Sequence, residues 1–287
     1  MSQPESSQAT VPPARDITAA THGERRALLA TCVAAAVRGA DVIRGFGRPR
    51  DSLEWEEKAR ADFVSAVDRA SEDAIAEIVR TRHPEARIIG EELSPDFSAL
   101  TGLTFVADPL DGTTNYLHEF PWYCVSIAAL VDGDPVAGAI LNVPTGELFT
   151  TTAGGGARRG GQPIAVSRTD APRRALIGTG FPFRHGEEVD RYLRVMAAVM
   201  GEVAGLRRPG SAALDLADVA CGRFDAFWEQ RLAPWDVAAG ILVVREAGGL
   251  VTDFDGVPAT VAHGPIVAGN PTMHAWLIQK LREAGTG

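Results

Sequence analysis

An acidic run at residues 108–115, Asp-Pro-Leu-Asp-Gly-Thr-Thr-Asn, holds the residue types best suited to chemistry in this chain. Asp108 and Asp111 stand three residues apart across a proline, after an apolar stretch, which predicts a strand that ends in an acidic loop. Carboxylates spaced this way can share a hard cation, and the amides after Gly112 can face an anion at a helix start. The run therefore indicates metal-assisted phosphate chemistry, with a solvated turn as the alternative.

Two further acidic segments lie on apolar scaffolds. A short apolar run at residues 87–89 ends in Gly-Glu-Glu at residues 90–92. Pro-Trp-Asp at residues 234–236 opens a helical pattern, which puts Asp236 in a first turn where the helix dipole favours an anion. Each segment alone is explained by a solvated loop or a helix-start carboxylate. Three such clusters together are harder to explain as turns and caps.

Three more segments extend the pattern: Asp-Phe-Val-Ser-Ala-Val-Asp at residues 62–68, Gly-Thr-Gly-Phe-Pro-Phe at 178–183 and Arg-Arg-Pro-Gly-Ser-Ala-Ala at 207–213. In order and spacing, from residue 24 to residue 284, the set resembles the inositol monophosphatase family, with bacterial inositol-1-monophosphatases as the closest likeness. Ser65, Leu110 and Tyr116 stand where Thr, Ile and Phe are common. These departures remove no charged group.

The resemblance implies an α/β fold with mixed sheets, a layered αβαβα sandwich of the inositol monophosphatase and fructose-1,6-bisphosphatase type, usually as a homodimer. We expect a disordered leader at residues 1–22 and a single phosphatase domain at residues 23–287. The N-terminal half, 23–185, would carry the main metal loop. The C-terminal half, 186–287, would carry the substrate-facing segments and Asp236.

The resemblance also implies two to three Mg²⁺ ions and inhibition by lithium. The implied ligands are Glu91, Asp108, the backbone carbonyl of Leu110, Asp111 and Asp236, with a third, weaker ion near Glu91 and Glu92. Thr113, polarised by Asp68, is implied to orient the attacking water and help deprotonate it, and Glu91 completes the catalytic set. No covalent phosphoenzyme is expected.

Substrate contacts follow from the same resemblance. The backbone amides of Gly112, Thr113 and Thr114 would hold phosphate oxygens. The ring hydroxyls of an inositol phosphate would meet four further positions: Gly210, Ser211, Ala212 and Glu229. The sequence does not decide the roles of Lys58, Arg207 and Arg208. His118 is interpreted as a packed or exposed loop histidine and not as a catalyst.

The implied function is Mg²⁺-dependent hydrolysis of a small-molecule phosphate ester, myo-inositol 1-phosphate, by an activated water. One alternative keeps the chemistry and changes the substrate to histidinol phosphate, fructose 1,6-bisphosphate or a 3′-phosphoadenosine nucleotide. Another is a binding role, since bacterial family members also resemble an accessory factor of transcription complexes.

Composition agrees with a cytoplasmic enzyme. The chain has 287 residues, 45% of them hydrophobic, and a formal net charge of −9, which argues against direct nucleic-acid binding. Its three cysteines, Cys32, Cys124 and Cys221, show no CxxC spacing and are predicted to be core residues in a reducing compartment. No signal peptide and no membrane span is predicted.

Hydrophobic periodicity predicts the elements that position these residues. In the first half, helices are expected at residues 24–46 and after Ser65 as far as His83, and strands at 87–89, 104–107, 122–131, 136–143 and 147–152. The glycines at 154–161 lack the spacing of a nucleotide-binding loop and indicate a hairpin. In the second half, strands are expected at 175–179, 224–228, 250–254 and 266–268, and helices at 187–200, 211–222, 235–247 and 272–284.

Overall fold

The computed structural model describes residues 21–47, 55–59, 62–92, 97, 100–183 and 186–285, and the structural statements below refer to these. The helices in these ranges are α1 (His22–Gly45), α2 (Ala66–Arg82), α3 (Thr113–Leu117), α4 (Val189–Met200), α5 (Ala212–Ala220), α6 (Pro234–Glu246) and α7 (Pro271–Gly285). The strands are β1 (Trp55–Ala59), β2 (Asp62–Ser65), β3 (Arg87–Gly90), β4 (Leu103–Asp111), β5 (Cys124–Val131), β6 (Asp134–Asn142), β7 (Leu148–Thr152), β8 (Ala157–Arg159), β9 (Gln162–Pro163), β10 (Leu176–Thr179), β11 (Gly205–Arg207), β12 (Ala226–Leu232), β13 (Leu250–Thr252) and β14 (Gly264–Gly269).

Helices α1 and α2 cover one face of a sheet with the order β3-β4-β5-β6-β7-β8-β9, in which only β3 and β4 run parallel. Leu28, Cys32 and Ile43 recur at helical spacing along α1 and are buried here. A capping box starts α1: the Thr21 hydroxyl accepts the Glu24 N–H at 3.3 Å, and the Glu24 carboxylate accepts the Thr21 N–H at 2.6 Å. The predicted leader lies outside the described residues up to residue 20.

Helices α5 and α6 form the middle layer between the two sheets. The second sheet has the order β11-β10-β12-β14-β13, and it too mixes parallel and antiparallel pairs. Val106 of β4, Ile241 of α6 and Phe227 of β12 share the core between the sheets. On the outer face of the second sheet, α4 and α7 bury Tyr192 and Leu277. The predicted αβαβα sandwich is thus confirmed.

Two strand predictions need correction, and three strands were not predicted. Strand β4 does not end at residue 107 but continues through Asp111, so the acidic run begins inside the sheet. Its pairing with β5 shifts between Asp108 and Asp111, a bulge at Pro109, which has no N–H to give to a neighbouring strand. Strand β12 continues past Trp228, which places Glu229 within the strand. The hairpin of β1 and β2 and the short β11 were not predicted.

The glycine-rich segment forms the predicted hairpin, with β8 paired to β9. The Glu246 carboxylate at the end of α6 accepts the N–H groups of Gly154 and Gly156 at 2.7 and 2.8 Å. These amides therefore bind a side chain of the protein itself and not a nucleotide. Within the described residues, no helix has the length and apolar character needed to cross a bilayer.

Candidate active site

The pairing of β3 with β4 places the first two acidic segments side by side. The two strands are parallel, and Gly90 of β3 is in register with Ala107 of β4. The next residues along each strand, Glu91 and Asp108, therefore lie side by side, Glu91 in the turn after β3 and Asp108 still within β4. Asp108 is 1% exposed, whereas Glu91 lies in a half-buried turn.

The charges of three other carboxylates act on Asp108. Burial raises the pKa of Asp108 well above its usual range, and the charges of Glu91, Asp111 and Asp236 raise this pKa further. The backbone N–H of Leu110 donates to Asp108 Oδ1 at 3.0 Å and opposes the shift only in part. The fold thus brings several acidic side chains together at a buried place.

Asp111 is held by the N-terminus of α5. Its Oδ2 accepts hydrogen bonds from the Ser211 hydroxyl at 2.7 Å and from the Ala213 N–H at 2.8 Å. Burial raises the pKa of Asp111, and these bonds act in the opposite direction. The predicted substrate segment at residues 210–212 therefore meets the predicted metal loop.

Asp236 stands in the first turn of α6, as predicted. Its Oδ2 accepts the Ala233 N–H at 2.7 Å, which fixes the carboxylate at the helix start, where the helix dipole stabilises it. Helix α6 lies between the sheets, so its first turn points this carboxylate toward the same place as the end of β4.

The donor set fits Mg²⁺ by atom type and by charge. All the predicted side-chain ligands and the Leu110 carbonyl offer oxygen, the ligand atom that this hard cation prefers. A divalent cation would offset the repulsion that raises the pKa of Asp108. Within the ranges the structure describes, no three His, Cys, Asp or Glu side chains are already arranged as a ready-made metal cluster. Asp111 and Asp236 each turn one oxygen to a helix-start N–H, so ion binding would require these side chains to adjust.

Thr113 is bonded to the two partners that a water-orienting hydroxyl needs. It donates to Asp68 Oδ1 at 3.0 Å and lies 3.1 Å from the Leu110 carbonyl oxygen. Asp68 is 1% exposed, on the first turn of α2. Gly112, with φ of 99°, adopts a left-handed conformation that turns the chain from β4 into α3. The turn brings Thr113 back against α2.

Comparison with known proteins decides the family. A model of the inositol monophosphatase family matches residues 24–286 of the chain. The chain belongs to the inositol monophosphatase family. It is therefore an enzyme, a phosphoric monoester hydrolase.

Similar proteins carry two kinds of name. The chain is 44% identical to the Nus factor SuhB of Pseudomonas aeruginosa over 224 residues, 77% of this chain and 83% of that protein. It is 43% identical to the inositol-1-monophosphatase of Rhizobium meliloti over 248 residues, 86% of this chain and 92% of that protein. The crystal structure of the extragenic suppressor protein suhB from Bartonella henselae matches with a TM-score of 0.81 at 39% identity, covering 90% of this chain and 99% of that one.

In this inositol monophosphatase family member, the predicted substrate residues lie on β12, at Glu229, and in the turn that precedes α5. The Glu229 carboxyl group lies over Gly180, where a Cβ atom would come within 2.0 Å of Glu229 Cδ. Gly210, with φ of 96°, makes the turn that leads to Ser211 and Ala212. The Asn115 amide donates to the carbonyl oxygens of Trp122 and Pro209, at 2.7 and 2.8 Å, and so joins this turn to α3.

The residues left undecided by sequence fall in different places. The Arg208 guanidinium lies over the rings of Phe181 and Phe183, 5.4 and 5.0 Å from their centroids, close to Gly210. Arg207 is exposed, and so is His118, as predicted. The side chain of Lys58 lies outside the described residues.

Sequence reasoning missed three buried polar residues near the site: Ser71, Glu72 and Asp215. The first two follow Asp68 by three and four positions on α2, a helical spacing that would have placed them on the same face. Cys124, predicted as a core residue, is buried, and its sulfur lies 3.8 Å from Asp111 Oδ2.

Proposed function

We propose that this phosphatase hydrolyses myo-inositol 1-phosphate to inositol and phosphate, with Mg²⁺ as its cofactor. The observation that carries the proposal is the convergence of Glu91, Asp111 and Asp236 on the buried Asp108, beside the Thr113 hydroxyl. These carboxylates and the Leu110 carbonyl would hold two to three ions. When bound, Mg²⁺ would lower the pKa of water and stabilise charge on the phosphoryl oxygens.

The Thr113 hydroxyl orients the attacking water. Both atoms close to this hydroxyl, Asp68 Oδ1 and the Leu110 carbonyl oxygen, are acceptors, so its proton points to them. Its own lone pairs remain to accept a hydrogen bond from water. A water bound in this way is held with a lone pair free to face phosphorus, and its proton can pass toward Thr113 and Asp68.

Substrate recognition divides between two segments. The amides of residues 112–114, at the start of α3, would bind phosphate oxygens. Glu229 would accept hydrogen bonds from two neighbouring ring hydroxyls, and residues 210–212 would line the other side of the ring. Histidinol phosphate, fructose 1,6-bisphosphate and a 3′-phosphoadenosine nucleotide remain the alternative substrates.

A second candidate function is favoured by the name of a relative. The similar protein of Pseudomonas aeruginosa is called a Nus factor. This chain would then also bind a protein partner in a transcription complex. Such a role would persist in Asp108→Asn, because a protein contact does not need the catalytic carboxylate. A cytoplasmic location and a homodimer accompany both candidates as proposals.

The proposal is tested by assaying a panel of these phosphate esters with Mg²⁺, before and after exhaustive chelation. We expect inositol 1-phosphate to give the highest kcat/KM, and chelation to abolish phosphate release because the carboxylates alone repel the substrate. Lithium should inhibit the Mg²⁺-supported reaction. Undiminished activity after chelation would exclude the metal mechanism. A higher kcat/KM for another ester would make that ester the proposed substrate in place of inositol 1-phosphate.

A further inference from the structure

Helix α2 carries a row of buried polar side chains that faces the acidic segments. Asp68, Ser71 and Glu72 are 1%, 0% and 2% exposed, and their spacing puts them on one side of the helix. Asp68 accepts the Thr113 hydroxyl, and Ser71 donates to the Pro109 carbonyl at 2.9 Å. The row therefore contacts the chain on both sides of Asp111.

Glu72 extends this row to the other acidic segment. Its Oε2 accepts the backbone N–H of Glu92 at 2.8 Å. Its carboxyl group also lies against Gly90, where a Cβ atom would come within 2.2 Å of Glu72 Oε1 and 2.4 Å of Cδ. One carboxyl group thus accepts a hydrogen bond from the residue after Glu91 and packs against the residue before it.

Glu91 itself lies in a half-buried turn between β3 and a stretch outside the described residues. The contacts that α2 makes with residues 90 and 92 therefore bear directly on where Glu91 lies. The two contacts made by Glu72 flank Glu91 directly, and they come from a helix that is also bonded to the loop of Asp108 and Asp111.

We propose that Glu72 is a positioning residue, whose carboxyl group fixes residues 90–92 against α2 and thereby aims Glu91 at the cation shared with Asp108. The inference rests on the proposed function, because it assumes the magnesium site. Partners that orient metal ligands typically account for about 10- to 100-fold in metal affinity. A purely structural carboxyl group would instead change the free energy of unfolding and leave the metal affinity unaltered.

The test is a titration of the full chain with Mn²⁺, in which the free ion is measured by its electron paramagnetic resonance signal. For Glu72→Ala we expect affinity at one site to fall about 10- to 100-fold, with kcat at saturating Mg²⁺ close to that of the unsubstituted chain. Glu72→Gln should retain most of the affinity, because its amide oxygen can still accept the Glu92 N–H. Glu77→Ala, an exposed glutamate on the same helix, is the matched control and should bind Mn²⁺ unchanged.

A second variant approaches the same contact from the other side. Gly90→Ala leaves Glu72 in the chain but forces its carboxyl group away, so we expect a similar loss of Mn²⁺ affinity. In the double variant Gly90→Ala with Glu72→Ala, the clash is gone, and the loss should not exceed that of Glu72→Ala alone. If Glu72→Ala fails to fold, the Mn²⁺ affinity of Gly90→Ala alone tests whether Glu72 positions Glu91.

Two results would overturn the inference: unchanged Mn²⁺ affinity in Glu72→Ala, or unchanged affinity in a folded Gly90→Ala. Neither would affect the proposed function, which depends on the unsubstituted chain binding Mn²⁺ and losing activity on chelation. Conversely, if the unsubstituted chain binds no Mn²⁺ and keeps its activity after chelation, the proposed metal-dependent function is wrong, whatever the Glu72 variants show.

Discussion

Asp215 is a buried carboxylate that the proposed chemistry does not use. It is 1% exposed, on the first turn of α5, and its Oδ1 has no hydrogen-bond partner among the described residues. Burial raises the pKa of Asp215 well above its ordinary value of 3.8, and the charges of Glu229, Asp111 and Asp218 add to the shift. A raised pKa means that the folded protein binds this proton more tightly than the unfolded chain.

The sign of the stability effect follows from that difference. The contribution of Asp215 to stability is fully present below the unfolded pKa and is lost as the pH rises through the folded pKa. At neutral pH the buried Asp215 carboxyl group therefore lowers the free energy of unfolding. We expect Asp215→Asn to raise the melting temperature measured in chelator by several degrees near pH 8, since about 1 kcal/mol moves it by about 2 to 4 °C in a large domain. The gain should shrink as the pH falls toward the unfolded pKa.

Asp218 provides the control for this measurement. Asp218 follows Asp215 by three positions on α5 and is also buried. Unlike Asp215, it forms an ion pair with Arg223, at 3.0 Å. Burial raises the pKa of Asp218 too, but Arg223 acts in the opposite direction, so Asp218→Asn should give a smaller gain near neutral pH than Asp215→Asn. A melting temperature lowered by Asp215→Asn near pH 8 would contradict the prediction, since it would show that the ionised group is stabilised in the fold.

At the scale of elements, the extension of β12 determines where Glu229 lies. The strand continues past Trp228, and its pairing with β14 shifts between Glu229 and Leu232. Glu229 is therefore held on a strand of the second sheet, half-buried over Gly180 of the neighbouring segment. A carboxylate fixed in this way would lose little conformational freedom on binding the hydroxyls of the proposed substrate.

We predict that Glu229→Ala separates recognition from chemistry. Hydrogen bonds to a charged group contribute about 1.5 to 3 kcal/mol, so kcat/KM for inositol 1-phosphate should fall roughly tenfold to hundredfold. para-Nitrophenyl phosphate offers no hydroxyls and should be hydrolysed almost as before. Gly180→Ala is an independent variant, because its Cβ would displace the Glu229 carboxyl group and should produce the same selective loss. Equal losses on both esters would mean that Glu229 supports the metal site or the fold.

The sequence predicted most elements because their periodicity is local. Helices α1 and α2 and the hairpin of β5 and β6 were found within a few residues of their observed bounds. The strand β11, of three residues, is too short to show a period. Strand β4 was cut short because Pro109 and Asp108 are poor strand formers, and the tertiary contacts of the bulge override that preference.

The candidate site was predicted unevenly for a related reason. The acidic segments stand out in the sequence, and the structure brings Glu91, Asp111 and Asp236 to Asp108. The sequence could not predict that Glu72 packs against Gly90 or that Glu229 packs against Gly180. Each contact depends on which distant residue the fold brings to the glycine. Knowledge of the family supplied ligand roles that neither spacing nor composition contains.

At the scale of the whole molecule, the layers leave one helix face uncovered. Val189, Leu193 and Met200 of α4 are 36%, 48% and 59% exposed, and with Met196 they follow the spacing of a single stripe along the helix. The buried side of α4 is a separate stripe that includes Tyr192. Charges of both signs, Asp190 and Arg194, border the exposed stripe. Such a patch does not repel a copy of itself, which suits the symmetric contact of a homodimer.

We expect the chain to elute with the mass of two chains in size-exclusion chromatography with light scattering, and Leu193→Asp to elute as one chain. A carboxylate at the centre of an apolar contact would be desolvated without a partner, a cost large enough to separate a dimer of ordinary interface size. Leu250→Asp changes the same residue type at 44% exposure on β13 and should leave the mass unaltered. Because the stripe and the carboxylate cluster lie on different layers, phosphatase activity measured alongside tests whether assembly is needed for catalysis. A dimeric Leu193→Asp would show that the subunits meet on another surface, and a monomeric unsubstituted chain would remove the homodimer from the proposal.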